Sequence, residues 1–286
     1  MEINWDYCQR NSDEILLGGL ERLRAARPHD SSRGLPSGSG NYVIWSDSTP
    51  LYIGEARDLS KRLRQQFRTN TSTFYKNYKK DYTHLGAEHL LPINEFTVTH
   101  IRTRIGRKEI EEFGIVNLPA PLNKFQLGKR EISTKCSNSN IWSEVQNQYT
   151  AIIEDGSRTI LSSESICWTK ATPVAGPGLY IIFNPNDEII YVGESSNVAK
   201  RHKTHSTNTY FSALRRNLGT RLKGFHLQER KGKKRYFEPQ EDARIDEFLL
   251  RCRIISQQVS FGRFELEEYL IRTIQPILNK KSKQPL

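Results

Sequence analysis

Two short apolar runs separated by a turn occur twice along the chain, and the other elements fall into place around them. Leu179–Phe183 and Glu188–Val192 flank Asn184-Pro185-Asn186-Asp187. Asn, Pro and Asp supply turn chemistry, so the spacing predicts a hairpin. Tyr42–Trp45 and Leu51–Ile53 repeat the arrangement around Ser46-Asp47-Ser48-Thr49-Pro50. In each half the second run ends in Tyr-x-Gly (Tyr191-Val192-Gly193 and Tyr52-Ile53-Gly54), and a helical stretch follows. Asn197 and Asp58 are the cap candidates of those helices. An Arg stands eight residues beyond the Gly in both, at Arg201 and Arg62.

The remaining pattern extends the parallel. Strands are predicted over Phe96–Ile105 and Phe248–Gln257. Each leads to a helix, containing Glu111-Glu112-Phe113-Gly114-Ile115 in one half and Glu267-Glu268-Tyr269-Leu270-Ile271 in the other. Both helices run into Pro and Asn, and Glu111 to Asn123 and Glu267 to Asn279 each span twelve residues. Upstream, Ile15, Leu16, Leu20 and Leu23 recur at helical spacing between the cap candidates Ser12 or Asp13 and the breaker Pro28, predicting one helix. The fold class expected is α/β (α+β): two tandem lobes, each a small mixed or antiparallel sheet flanked by helices. The expected divisions are 1–36 (helix and loop), 37–127 (first lobe), 128–172 (connector) and 173–286 (second lobe). The connector opens with a polar tract, Ser133 to Ser139, but Trp142, Ile152, Ile153 and Ile160 to Trp168 make it too apolar for a bare tether.

Composition narrows the classes. With 36% hydrophobic and 26% charged residues, the 286-residue chain reads as globular. No apolar run approaches the roughly 20 residues that span a bilayer, and Met1–Asp6 lacks a signal-peptide pattern, so no membrane association and a cytoplasmic setting are expected. Cys8, Cys136, Cys167 and Cys252 are widely spaced, which argues against a zinc site or a disulfide framework. The net charge of +11 is unevenly placed. Residues 1–130 hold 20 Lys and Arg against 15 Asp and Glu (+5), 131–171 hold 3 against 5 (−2), and 172–286 hold 20 against 12 (+8). Two basic lobes suggest a polyanionic partner. Lys76, Lys79 and Lys80 interleave with Phe74, Tyr75, Tyr78 and Tyr82. Arg215, Arg216, Arg221 and Lys223 open a second basic stretch that continues through Arg230, Lys231, Lys233, Lys234 and Arg235. Cations among aromatics can hold phosphates and offer flat faces to bases.

Taken singly, these residues are ordinary: a Tyr in a strand packs, and a Glu on a helix is solvated. Taken in order, each half resembles a GIY-YIG nuclease domain, whose pattern is Gly-Ile-Tyr, Tyr-Ile-Gly, a helical Arg, a distant Glu and a terminal Asn. The second half offers Tyr180, Tyr191, Arg201, Glu267 and Asn279, with His205 four positions after the Arg. The first offers Tyr42, Tyr52, Arg62, Glu111 and Asn123, but has Gln66 where the second has His205, and Asn41 where the family prefers an apolar residue. The resemblance implies Glu267 and Glu111 as ligands of Mg²⁺ (or Mn²⁺), Arg201 and Arg62 on the scissile phosphate, and Tyr180 and Tyr42 as base or water-orienting groups. Tyr191, Tyr52 and His205 would complete the proton network, and Asn279 and Asn123 would brace the site. The residue types suit phosphodiester hydrolysis, since a cation and an Arg can stabilise charge building on phosphorus. No organic cofactor is expected. The leading expectation is therefore a metal-dependent endonuclease of double-stranded DNA, restriction-type, with two active sites and no need to dimerise. Two alternatives stand beside it: a nuclease whose second lobe alone is active, and a non-catalytic nucleic-acid-binding protein.

Overall fold

Asn4 and Asn11 divide the N-terminal segment into two helices where the sequence pattern suggests one. The Asn4 side chain accepts the Tyr7 N–H and opens α1 (Trp5–Arg10); Asn11, rather than Ser12 or Asp13, precedes α2 (Ser12–Ala25). As its spacing predicts, α2 buries Ile15, Leu16, Leu20 and Leu23. The computed structural model describes residues 2–30, 36–82, 90–123, 140–230 and 234–279, and the chain divides into two units, Met1–Ile152 and Ile153–Leu286.

In the first unit β1 (His29–Asp30), β2 (Gly40–Ser46), β3 (Thr49–Ala56) and β4 (Thr97–Arg102) form an antiparallel sheet in the order β1-β4-β2-β3. After β3 comes α3 (Leu59–Gln66), opened by the Asp58 carboxylate accepting the Lys61 N–H, then α4 (Thr73–Tyr82); α5 (Arg107–Asn117) follows β4. Phe74, Tyr75 and Tyr78 of α4 pack with Phe96, Tyr42 and Tyr52 in the core. Of the connector, α6 (Ile141–Asn147) belongs to this unit: the Gln146 amide accepts the Arg104 and Ile105 N–H groups and donates to the Ile105 carbonyl. The chain crosses the boundary within α7 (Tyr149–Leu161). The polar tract Ser133 to Ser139 lies outside the described residues.

The second unit has an antiparallel sheet of the same form, β5-β10-β6-β7, built from β5 (Ile166–Cys167), β6 (Gly178–Phe183), β7 (Ile189–Ser195) and β10 (Arg253–Gln258). Between β7 and β10 come α8 (Val198–Thr207), opened by the Asn197 side chain, then α9 (Ala213–Asn217), the ribbon β8 (Gln228–Arg230) and β9 (Lys234–Tyr236), and α10 (Pro239–Leu250); α11 (Arg263–Ile274) follows β10. The strand expected from Phe248 starts only at Arg253. Pro239 and the reciprocal Glu238–Glu241 capping box launch α10, and Phe248 and Leu249 are buried from its last turn. A short apolar run reads equally as buried strand or helix, and here the helix start signal decides.

Each sheet ends in a strand, β3 or β7, whose outer edge is covered by a segment that runs from a Pro to an Asn, Pro121-Leu122-Asn123 or Pro276-Ile277-Leu278-Asn279. The Leu278 N–H bonds the Ile190 carbonyl, and the Asn279 amide both accepts the Val192 N–H (2.9 Å) and donates to the Val192 carbonyl (2.8 Å). In the first unit Leu122 bonds Leu51, and Asn123 grips the Ile53 N–H (2.9 Å) and carbonyl (2.7 Å) in the same way. An unpaired strand edge is thus satisfied by a side chain that imitates a backbone.

Candidate active site

The hairpin of the second unit brings its two tyrosines side by side. Tyr180 on β6 and Tyr191 on β7 stack with ring centroids 6.1 Å apart, and Tyr180 is fully buried. Gly193 makes this possible: a Cβ there would run into the Tyr180 hydroxyl and press on the Tyr191 ring. The hydroxyl lies 2.8 Å from His205 Nε2 on α8, and His205 Nδ1 lies 2.7 Å from Ser212 Oγ. Ser212 caps α9 by accepting the Arg215 N–H, so the hydroxyl–imidazole–hydroxyl chain is anchored to a helix start. His205 is buried at 1% exposure. Burial, with Arg201, His202 and Arg215 nearby, lowers its pKa to about 3, so the ring is neutral at ordinary pH.

Glu267 and Arg201 complete the group. The Glu267 Oε1 atom accepts the Glu194 N–H from the end of β7 (3.1 Å), which ties α11 to the strand carrying Tyr191. Glu194 is itself held by the buried Arg263 guanidinium (2.9 Å). Burial raises the pKa of both tyrosines, that of Tyr191 to about 12, with the Glu267 charge adding to the rise and Arg201 opposing it. A base needs the opposite shift, so these hydroxyls are proton donors until another positive charge joins the site. Arg201 donates to the Phe211 carbonyl (3.4 Å), and Arg216 to the Thr209 and Tyr210 carbonyls; the Arg216 charge also reaches Tyr191. Asn279 is a brace, gripping Val192 between the two site residues of β7.

The first unit holds the corresponding residues with two changes. Tyr42 and Tyr52 stack at 6.2 Å, Gly54 abuts the Tyr42 hydroxyl, and Asn123 braces Ile53. Arg62 is close enough to both hydroxyls to offset part of the burial that raises their pKa values. Gln66 takes the place of His205. Its Oε1 accepts the Thr73 and Phe74 N–H groups (3.1 and 3.3 Å), which fixes Nε2 as the donor to Tyr42 (3.0 Å). That amide cannot receive a proton. The second change lies at Glu111, whose Oε2 is 2.5 Å from the Lys108 ammonium. Burial opposes the Lys108 charge, but Glu111, Glu112 and Glu55 outweigh it and raise its pKa. Asn41, the polar residue of Gly-Asn-Tyr, is buried and donates to the Arg107 carbonyl (2.8 Å), steadying the start of α5.

The basic residues separate by burial. Arg215, expected on the nucleic-acid surface, is 2% exposed and grips Asp242 (2.9 Å), Asp246 (2.5 Å) and Thr209 (2.9 Å); this corrects the expectation, because its guanidinium is spent inside the fold. Arg221, whose guanidinium donates to the Asn279 carbonyl (2.9 Å), and Lys223 are exposed. Lys76, Lys79 and Lys80 are exposed along α4, but Phe74, Tyr75 and Tyr78 turn inward, so this helix offers charge without the base-stacking faces expected of it. Lys231 and Lys233 lie outside the described residues. Sequence reasoning missed Ser212 and its counterpart Ser72, which accepts the Tyr75 N–H. The signal was present: each stands five residues before an Asn, Asn217 or Asn77, that donates to the carbonyl of Leu278 or Leu122.

Among the described residues no group of three or more His, Cys, Asp and Glu side chains could hold a metal. A lone carboxylate nonetheless suits Mg²⁺, which keeps most of its water and shares phosphate oxygens, and the half-buried Glu267 fits that donor set. Glu111 does not, since a lysine ammonium already sits on it.

Residues 178–285 match the family model of the GIY-YIG catalytic domain, which supports a place for this segment in that nuclease superfamily. The matched segment begins at β6 and includes Tyr180, Tyr191, Arg201, His205, Ser212, Glu267 and Asn279. No curated protein and no solved structure matches the chain.

Proposed function

We propose that the chain is a divalent-metal-dependent DNA endonuclease whose second unit hydrolyses phosphodiester bonds while its first unit holds the duplex. The observation that carries this reading is the Tyr180–His205–Ser212 relay beside Tyr191, Glu267 and Arg201, within a segment that matches a nuclease catalytic domain. With its proton on Nδ1, His205 donates to Ser212 Oγ and leaves Nε2 to accept from the Tyr180 hydroxyl. Tyr180 can then take a proton from an attacking water as it passes its own to Nε2. Glu267 would hold Mg²⁺ or Mn²⁺, whose charge would stabilise the phosphate oxygens and lower the pKa of the nearby hydroxyls. Arg201, half-buried beside both tyrosines, faces the same phosphate, and Tyr191 fixes the Tyr180 ring by stacking.

A second reading, a restriction-type enzyme with two active sites cutting both strands, is favoured by the recurrence of Tyr, Tyr, Arg, Glu and Asn in the first unit. Digestion of supercoiled plasmid with Mg²⁺ separates the two. Under the proposal Glu267→Ala abolishes cutting and Glu111→Ala leaves turnover nearly intact. Conversion of Glu111→Ala into a nicking enzyme would establish the second reading, and undiminished cutting by Glu267→Ala would remove both.

A further inference from the structure

The two units place a carboxylate on equivalent helices. Gly106-Arg107-Lys108-Glu109-Ile110-Glu111 aligns with Gly262-Arg263-Phe264-Glu265-Leu266-Glu267. Both glycines are left-handed (φ 89° and 80°) and start α5 and α11; both arginines are buried and meet a glutamate after Tyr-x-Gly, Glu55 or Glu194. Charge differs at one place only, Lys108 against Phe264. We propose that in the first unit the Lys108 ammonium permanently occupies the position a divalent cation would take on Glu111, making this a metal-free site for a DNA backbone phosphate.

Three observations support the inference, which rests on the nuclease reading for the identity of the polyanion. Lys108 Nζ is 2.5 Å from Glu111 Oε2, and the two side chains are 25% and 15% exposed. A cation on that oxygen would have to sit at about 2.0–2.6 Å, so ammonium and metal exclude each other. The ammonium is tethered one helical turn away, and of the three N–H donors that an ammonium carries the Glu111 contact uses one. Gln66 removes the proton acceptor that hydrolysis would need while keeping the Tyr42 hydroxyl hydrogen-bonded. Lastly, Lys108 cancels the Glu111 charge, so an approaching phosphate meets Arg62 with the repulsion of that carboxylate removed. Phe264 brings no charge to Glu267, the carboxylate to which the proposed function gives a divalent cation.

The test uses the full chain, Mn²⁺ counted by electron paramagnetic resonance, and a fluorescent DNA duplex titrated in EDTA. Wild type is expected to bind one Mn²⁺ that Glu267→Ala removes. Lys108→Phe should gain a second Mn²⁺, lost again in Lys108→Phe/Glu111→Ala. In EDTA, Lys108→Phe should bind duplex severalfold more weakly and lower the log–log salt slope by about one, while Lys108→Arg stays near wild type. A Mn²⁺ in wild type that Glu111→Ala removes would overturn the inference, as would unchanged duplex binding by Lys108→Phe in EDTA. Should Lys108→Phe melt early, Lys108→Gln serves for both arms. Failure of Glu267→Ala to release Mn²⁺ would count against the nuclease reading alone, because the gain of metal at Glu111 is scored independently.

Discussion

Acid should loosen the second unit before the first, and His205 is the reason. The ring is buried, faces Arg201, His202 and Arg215, and has its pKa lowered to about 3, against 6.5 when exposed. A histidine depressed in the folded state contributes stability that is complete above 6.5 and is lost as pH falls toward 3, because only the unfolded chain takes up the proton. The loss reaches about 1.4 kcal/mol per pH unit within that window, which integrates to about 2 kcal/mol between pH 7 and pH 5. His205→Gln, which installs the residue the first unit uses, removes this term. Hydrogen exchange of peptides from β6 and β7 measures it locally, with β2 and β3 as an internal reference. Protection in the second hairpin should fall about 25-fold more in wild type than in His205→Gln over the same pH step. Equal pH dependence in the two proteins would refute the reasoning, since every other titrating group is common to both.

Substitutions at two further positions bear on the framework. Asn279→Ala removes both bonds to Val192 and should cost about 2–4 kcal/mol in urea denaturation; Asn279→Asp should cost at least as much near neutral pH, where it cannot donate to the carbonyl, and recover in acid. Arg215→Met strands Asp242 and Asp246, which are 36% and 52% exposed and keep part of their hydration, so a loss of about 2–3 kcal/mol is expected, with duplex affinity in EDTA unchanged for the folded protein.

The hairpins, the helix caps Asp58 and Asn197 and the Glu-to-Asn spacing were legible because each depends on local chemistry: turn residues, a side chain within reach of an N–H, one helix length. The tyrosine–histidine relay was legible only as a list, since its order comes from tertiary packing. Ser212 escaped because a serine at a helix start reads as a cap and nothing more. Arg215 misled because charge density says nothing of burial; its partners Asp242 and Asp246 lie 27 and 31 residues away on α10, beyond any local pattern. Phe248 misled for the opposite reason, an apolar triplet whose period is too short to choose between helix and strand.

The sealing of the sheet edge has a consequence for synthesis. β7 emerges from the ribosome some eighty residues before Pro276, Leu278 and Asn279 arrive to cover it. Until then the nascent second unit presents a bare apolar strand that any extended segment, including one from a neighbouring copy, could extend. A product truncated upstream of residue 276 would keep that strand uncovered for good, a sticky aggregation seed. Pro276 to Asn279 are therefore the closing piece of the sheet: the β7 edge has these partners only in a chain translated to Asn279.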